Sequence, residues 1–246
     1  MIEYVDPHSI KPAEYNPRKI DKEDFDNLCL SVQRLGIIVP LYANLLNEQG
    51  FNILTLEFYH NNKKGVNIDR ANREIDSLIH HLSNKGLFDF IVLDSVLNSV
   101  DSLEAEQSVM GTCNALLKDG GTLFFSGRTL KAAKTYDRQK KVSSDKNSIY
   151  FLDKDGFSAT FRNGNFYYQK FHDDDQIKKL IVEHGFVLED FKKDGSAWRC
   201  KVKKERQSPY CISGLNFEFN LPHPKGRYGR SDEVIQAFSK AVKNTR

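Results

Sequence analysis

Residues 88–128, FDFIVLDSVLNSVDSLEAEQSVMGTCNALLKDGGTLFFSGR, decide the fold. Asp89 to Asp94 is a short apolar run, rich in β-branched residues and bounded by acids, the pattern of a buried strand. Ser95 to Val100 follows as a polar turn. Ser102 or Asp101 can cap a helix from about Leu103 to Leu117, and Glu104 and Glu106 fall in its first turn, where the helix dipole favours negative charge. Lys118 to Gly121 is the expected stop, because a glycine just past the last turn takes the left-handed conformation without strain. Thr122 to Ser126 is the next strand, and Gly127 and Arg128 leave it. Strand, helix and strand in that order make a parallel crossover, which implies a sheet covered on both faces. Ligands of such sheets sit at the carboxyl ends of the strands, here Asp94 to Asn98 and Ser126 to Arg128.

Upstream, Leu41 to Gly50 is a short helix and Phe51 to Glu57 a strand with an acid at its carboxyl end. Val66 to Ile68 is a short third strand. Asp69 or Asn72 then begins a helix to about Leu82, with Ile75, Leu78, Ile79 and Leu82 on its buried stripe. His80 and His81, near its end, are expected to be exposed or to complement the dipole rather than to bind a metal.

Downstream, strands at 149–152, 157–161 and 166–171 alternate around Asp155-Gly156 and Asn163-Gly164, both strong hairpin signals. Among their aromatics, Tyr167 could stack on a base. Asp173 caps a helix to His184, and Phe186–Lys192 pairs with Ser196–Lys203 about a turn at Gly195. Leu215 to Leu221 alternates as a strand, residues 222–230 form a basic loop, and Ser231 starts an amphipathic helix to Val242.

The net charge is only +3, so the chain is no polycation, but its positive excess gathers at Lys192-Lys193, Arg199 to Arg206 and Lys225 to Arg230. Arg227, Tyr228 and Arg230 mix charge with an aromatic in a way suited to phosphate and base contact. The four cysteines have no Cys-x-x-Cys spacing, which implies free thiols in a reducing cytoplasm and no zinc site. No apolar run approaches the roughly 18 to 20 residues of a membrane helix. The acidic start at Met1 to Asp6 is unlike a signal peptide.

FDFIVLDSVLNSV, a helix, and then LLKDGGTLFFSGR resemble the fourth and fifth strands of a class I S-adenosylmethionine-dependent methyltransferase, over roughly residues 42–205. The resemblance implies an α/β, Rossmann-like sheet, mostly parallel with an antiparallel final hairpin, and S-adenosylmethionine as cofactor. It places Asp94, Ser95, Val96 and Asn98 along the cofactor pocket and Arg128 near substrate. Glu57 would accept hydrogen bonds from the two ribose hydroxyls, since a carboxylate offers two oxygens to adjacent donors.

Residues 10–18, IKPAEYNPR, then LCLSV at 28–32 and GIIVP at 36–40, resemble the opening of the ParB-like, sulfiredoxin-like domain. That family binds DNA or nucleotides, and Glu14, Asn16 and Arg18 would be contact candidates. Neither pattern is whole: the ParB-like segment stops at Pro40, and no first strand with a glycine-rich loop precedes Leu41. The expected organisation is a truncated ParB-like segment at 1–40, a methyltransferase-like domain at 41–205, and a basic extension at 206–246. Two functions follow from it. One is methyl transfer to DNA or another nucleic acid. The other is a non-catalytic remnant that binds DNA or protein. No catalytic base is assigned, because neither an Asn-Pro-Pro-Tyr motif nor a Pro-Cys nucleophile follows the fourth strand.

Overall fold

The computed structural model describes residues 53–59, 61–62, 65–131, 149–153, 155–162 and 165–244. All of them lie in one unit spanning residues 35–246. Residues 1–52, with the ParB-like segment and its Glu14, Asn16 and Arg18, fall outside the described residues. Residues 53–57 carry no strand ladder, so the strand expected to end at Glu57 is corrected to irregular chain. A two-residue ladder follows, β1 (Asn61–Asn62) against β2 (Gly65–Val66).

Helix α1 (Ile68–Asn84) starts one residue earlier than expected, because the Asn67 side chain accepts the Arg70 N–H at 3.2 Å and satisfies one of the unpaired donors of the first turn. Its stripe of Ala71, Ile75, Leu78 and Leu82 is buried. His80 is exposed, but His81 is buried and stacks on Phe88 with ring centroids 4.2 Å apart.

The crossover is present. Strand β3 (Phe88–Leu93) runs parallel to β4 (Leu117–Thr129), and α2 (Leu103–Leu116) connects them. Ser102 caps α2 by accepting the Ala105 N–H at 3.2 Å, and Glu104 and Glu106 occupy its first turn. Helix passes directly into strand, so Lys118 to Gly121 is not a separate stop. Those residues are absorbed where the register jumps from Phe88↔Leu117 to Phe90↔Thr122, with Gly120 at φ +72°.

Strands β5 (Ile149–Phe151), β6 (Phe157–Arg162) and β7 (Asn165–His172) form the expected antiparallel hairpins. A capping box at Asp173 and Gln176 starts α3 (Asp174–Glu183), and β8 (Phe186–Asp194) and β9 (Ala197–Lys204) make the final hairpin.

All seven strands from β3 to β9 form one sheet, in which β4 pairs with β3, β7 and β9. Since β9 holds one edge of β4 as far as Arg128, β7 takes the other edge past the end of β3, through Arg128↔Phe171 and Thr129↔His172. Among the described residues only the β3–β4 and β4–β7 ladders are parallel. The sheet is therefore mixed, which corrects the mostly parallel expectation. The physical reason is that the hairpins of residues 149–172 join the sheet and bring their antiparallel ladders with them.

The β4–β9 register puts Leu123 beside Val202, Phe125 beside Cys200 and Gly127 beside Trp198 on one face. Val109, Met110 and Cys113 of α2 and Ile177, Leu180 and Ile181 of α3 pack there. Gly127 is required at that place, since a Cβ would lie about 2.5 Å from the Trp198 ring. The opposite face carries Lys203, Lys201 and Arg199.

The C-terminal residues are built into a second core. Leu215 to Leu221 was expected as a strand, but residues 211–218 form α4 (Cys211–Glu218). Leu215, Phe217 and Phe219 do alternate, yet Cys211, Leu215 and Phe219 also recur every four residues, and that buried stripe prevails. Gly214 faces Ser108 and Thr112 of α2, where a Cβ would come within 2.6 Å of a backbone oxygen, so α4 can press closely on α2. A short ladder, β10 (Pro222–His223) with β11 (Gly226–Arg227), leads to α5 (Ser231–Asn244). Val234, Phe238 and Ala241 of α5 meet α1 and α4 in this core, and Leu54, Leu56 and Phe58 pack on it.

Candidate functional site

The candidate site is built at the carboxyl ends of β3 and β4. Three polar residues lock there. The Ser126 hydroxyl donates to Asp94 Oδ1, and the Ser95 N–H donates to Ser126 Oγ at 2.9 Å. The Ser95 hydroxyl also reaches Asp94 Oδ1 at 3.4 Å. Ser95 holds φ at +60°, a left-handed conformation that costs a residue with a Cβ roughly 1–2 kcal/mol. Its two contacts with the strand ends offset that strain and turn the chain sharply out of the sheet.

Asp94, Ser95 and Val96 are exposed, whereas Leu97 is fully buried and anchors a single 3-10 turn, Leu97–Ser99. Asn98 keeps some exposure, but its Oδ1 is buried and has no hydrogen-bond partner among the described residues. A buried acceptor without a donor is costly to leave unpaired, so Asn98 is the member of this loop most in need of an external donor.

Glu57 is not joined to this set. Its N–H donates to Glu74 of α1 at 2.7 Å, and its Oε1 accepts the Tyr59 N–H at 2.9 Å. Its second oxygen has no partner among the described residues. Arg128 is exposed at the end of β4, and its carbonyl accepts the Trp198 indole N–H at 3.1 Å. Tyr167 lies in β7 opposite Thr160.

Two residues expected to contact nucleic acid are used internally instead. Tyr228 is buried, its ring packs on Phe58 and His223, and its hydroxyl donates to the Phe58 carbonyl. Arg230 bonds Asp76 at 2.6 Å and Glu233 at 2.5 Å, and these carboxylates raise its pKa further. Through these contacts Arg230 ties its loop to Asp76 of α1, and Tyr228 ties it to Phe58. Arg227 stays exposed, with Nη1 donating to the Asn220 carbonyl at 2.8 Å.

Two features were not foreseen. Where β7 joins β4, buried His172 meets buried Glu106 at 2.5 Å and sits edge-on to Trp198. His172 Nδ1 has no hydrogen-bond partner among the described residues. Nothing local signals this pair, since its members stand 66 residues apart. The second is Glu218 at the end of α4, whose carboxyl group burial pushes up to about 8. Burial likewise pushes the Cys113 and Cys200 thiols up to about 12, which makes them poor nucleophiles at neutral pH. Among the described residues no group of His, Cys, Asp and Glu is arranged to hold a metal ion, and no helix is long and apolar enough to cross a membrane.

The parallel strand–helix–strand crossover carries its locked turn at the carboxyl ends of the strands, the place where open α/β sheets bind ligands. A family model described as "Methyltransferase domain" matches residues 39–189, more than half of the sequence. The chain belongs to this methyltransferase domain family. No curated protein matches the sequence.

Solved structures align at low identity. A protein from Pyrococcus horikoshii OT3 aligns at 13% identity and a TM-score of 0.44, over 75% of this chain and 93% of its own. A glycopeptide N-methyltransferase, crystallised with S-adenosyl-L-homocysteine, aligns at 12% and 0.39, over 65% and 76%. For a putative S-adenosylmethionine-dependent methyltransferase from Listeria monocytogenes the values are 12% and 0.37, over 49% and 63%, so this chain spans less than two thirds of that protein.

Proposed function

We propose that this domain binds S-adenosylmethionine and transfers its methyl group, with Asp94 to Asn98 forming one wall of the cofactor site and Glu57 taking the ribose. The observation that carries the reading is the Asp94–Ser95–Ser126 lock, which fixes an exposed loop at the strand ends of a methyltransferase-family domain. The residues present suit the adenosyl end of the cofactor. Asn98 Oδ1 is an acceptor in search of a donor such as an exocyclic amine, and Glu57 has one carboxylate oxygen to offer a ribose hydroxyl. At the amino-acid end the sequence before Leu41 offers no glycine-rich cradle.

When bound, the cofactor supplies an activated methyl group. The chain's part is then to bind, orient and keep water away, so positioning dominates and few acid–base groups are needed. The missing cradle favours a second reading, a family member that has lost cofactor binding. Calorimetry with S-adenosylmethionine separates the two. Micromolar binding that weakens about tenfold in Glu57→Ala is expected on the first reading. Absence of binding heat leaves the second.

We take the acceptor to be a nucleic acid, on the strength of Arg128 at the carboxyl end of β4 and the exposed Arg227. Two phosphate contacts make the affinity for a short DNA duplex fall roughly tenfold between 50 and 200 mM salt. Fluorescence anisotropy on the full chain and on Arg128→Ala measures this. Affinity that ignores both salt and the substitution rules the acceptor out.

A further inference from the structure

Among the described residues β8 ends the sheet, and no strand pairs with its outer edge. Such edges usually carry charges that discourage a second strand from pairing. Here the order of the charges does the opposite. Residues 190–192 read Asp-Phe-Lys, a sequence that becomes charge-complementary when rotated about its centre. We propose that two copies of this chain pair antiparallel along β8, with a two-fold axis at Phe191, and so extend the sheet across a symmetric dimer.

The argument rests on register. Phe191 packs against the core on the α3 side, so Asp190 and Lys192 point to the opposite face. Lys192 and Asp190 lie 3.2 Å apart within one strand and are both well exposed, at 77% and 49%, so they can exchange partners at little cost. Pairing about Phe191 places Asp190 opposite Lys192 of the second copy, twice, with the two Phe191 rings meeting at the axis. Sliding by two residues either way sets Asp190 against its own copy, or Lys192 against its own, and like charges directly opposite destabilise a ladder. One register is thus selected, as an isologous interface requires.

The flanks agree with this choice. In the same register the second copy's turn at Asp194 and Gly195 lies across Leu188 and Val187. These two apolar residues are 37% and 44% exposed, and with the 63% exposed Val182 of α3 they line a groove beside the start of β8. A Cβ built on Gly195 would meet nothing within 4 Å, so the space beside this turn is open to an approaching chain. The bulge at Glu189 limits the regular part of the ladder to a few residues, so the dimer is weak and forms at tens of micromolar, on the order expected for a small interface.

Sedimentation velocity on the full chain tests this. The wild type is expected to approach twice the 28.3 kDa of one chain at about 100 µM. K192D, which makes both cross-strand pairs repulsive, weakens the dimer about tenfold or more. D190K/K192D, which exchanges the charges, restores it. D190K and K192D, each monomeric alone, form a mixed dimer when combined. All of these side chains are exposed, so circular dichroism is unchanged throughout. A wild type that stays monomeric overturns the proposal, and so does a dimer indifferent to K192D or one that the exchanged pair fails to restore.

Discussion

Asn114→Ala is expected to lower the unfolding free energy by about 3–5 kcal/mol. Asn114 sits two residues from the end of α2 with no exposed surface. Its amide nitrogen donates to the His184 carbonyl at 2.8 Å and to the Arg206 carbonyl at 3.0 Å. Its amide oxygen accepts the Ser208 N–H at 3.0 Å and lies 3.4 Å from the Cys211 thiol. One side chain thus ties α2 to the end of α3, to the irregular chain leaving β9 and to the start of α4. Truncation leaves two carbonyls and one N–H buried without partners, each costing about 1–3 kcal/mol. Asn114→Asp keeps the acceptor but loses both donations and buries a charge, so it is expected to be no milder. Urea unfolding at 25 °C with an unchanged m-value measures the loss. A cost below about 1 kcal/mol would mean that the three segments hold together by packing alone.

That network also shows where sequence reading stops. The crossover from Phe88 to Thr129 was legible because its signals are local: an apolar run, a cap at Ser102, a helical period, then a second apolar run. The hairpins at Asp155-Gly156 and Asn163-Gly164 were legible for the same reason. Pairings between distant segments left no such mark. Nothing in the sequence of β7 says that its last two residues will find the far end of β4, and the sheet therefore came out mixed.

Helix α4 was misread because its apolar residues satisfy a period of two as well as a period near four. Only burial against α2, permitted by Gly214, decides between them. In the candidate site, Asp94 and Ser95 were legible from strand-end position, whereas the conformation of Ser95 depends on Ser126, 31 residues away. Tyr228 and Arg230 looked like surface residues for want of their partners, Phe58 and Asp76, which lie on the other side of the sheet's crossover in sequence.

The contribution of Glu218 to the stability of the domain is expected to fall as pH rises from about 5 to 8, and Glu218→Gln is expected to remove that fall. Burial raises the folded-state pKa of Glu218 from 4.5 to about 8. Over that range the folded form holds a proton that the unfolded form has released, so raising the pH draws the equilibrium toward unfolding. The stabilisation is fully present below pH 4.5 and is lost as pH climbs through 8. A shift of this size corresponds to roughly 4 kcal/mol at pH 8, and because the residue keeps some exposure, about 3 kcal/mol is the reasonable expectation.

His81 and His184 work in the other direction, since desolvation lowers both and each must gain a charge on acid unfolding. Their contribution is common to wild type and variant, so it cancels in the difference. Glu218→Gln, neutral at every pH, is accordingly expected to match the wild type at pH 4.5 and to exceed it by about 3 kcal/mol at pH 8. Paired urea titrations at the two values measure this. Equal stability of the two proteins at pH 8 would place the Glu218 carboxylate in water rather than in the buried setting that raises its pKa.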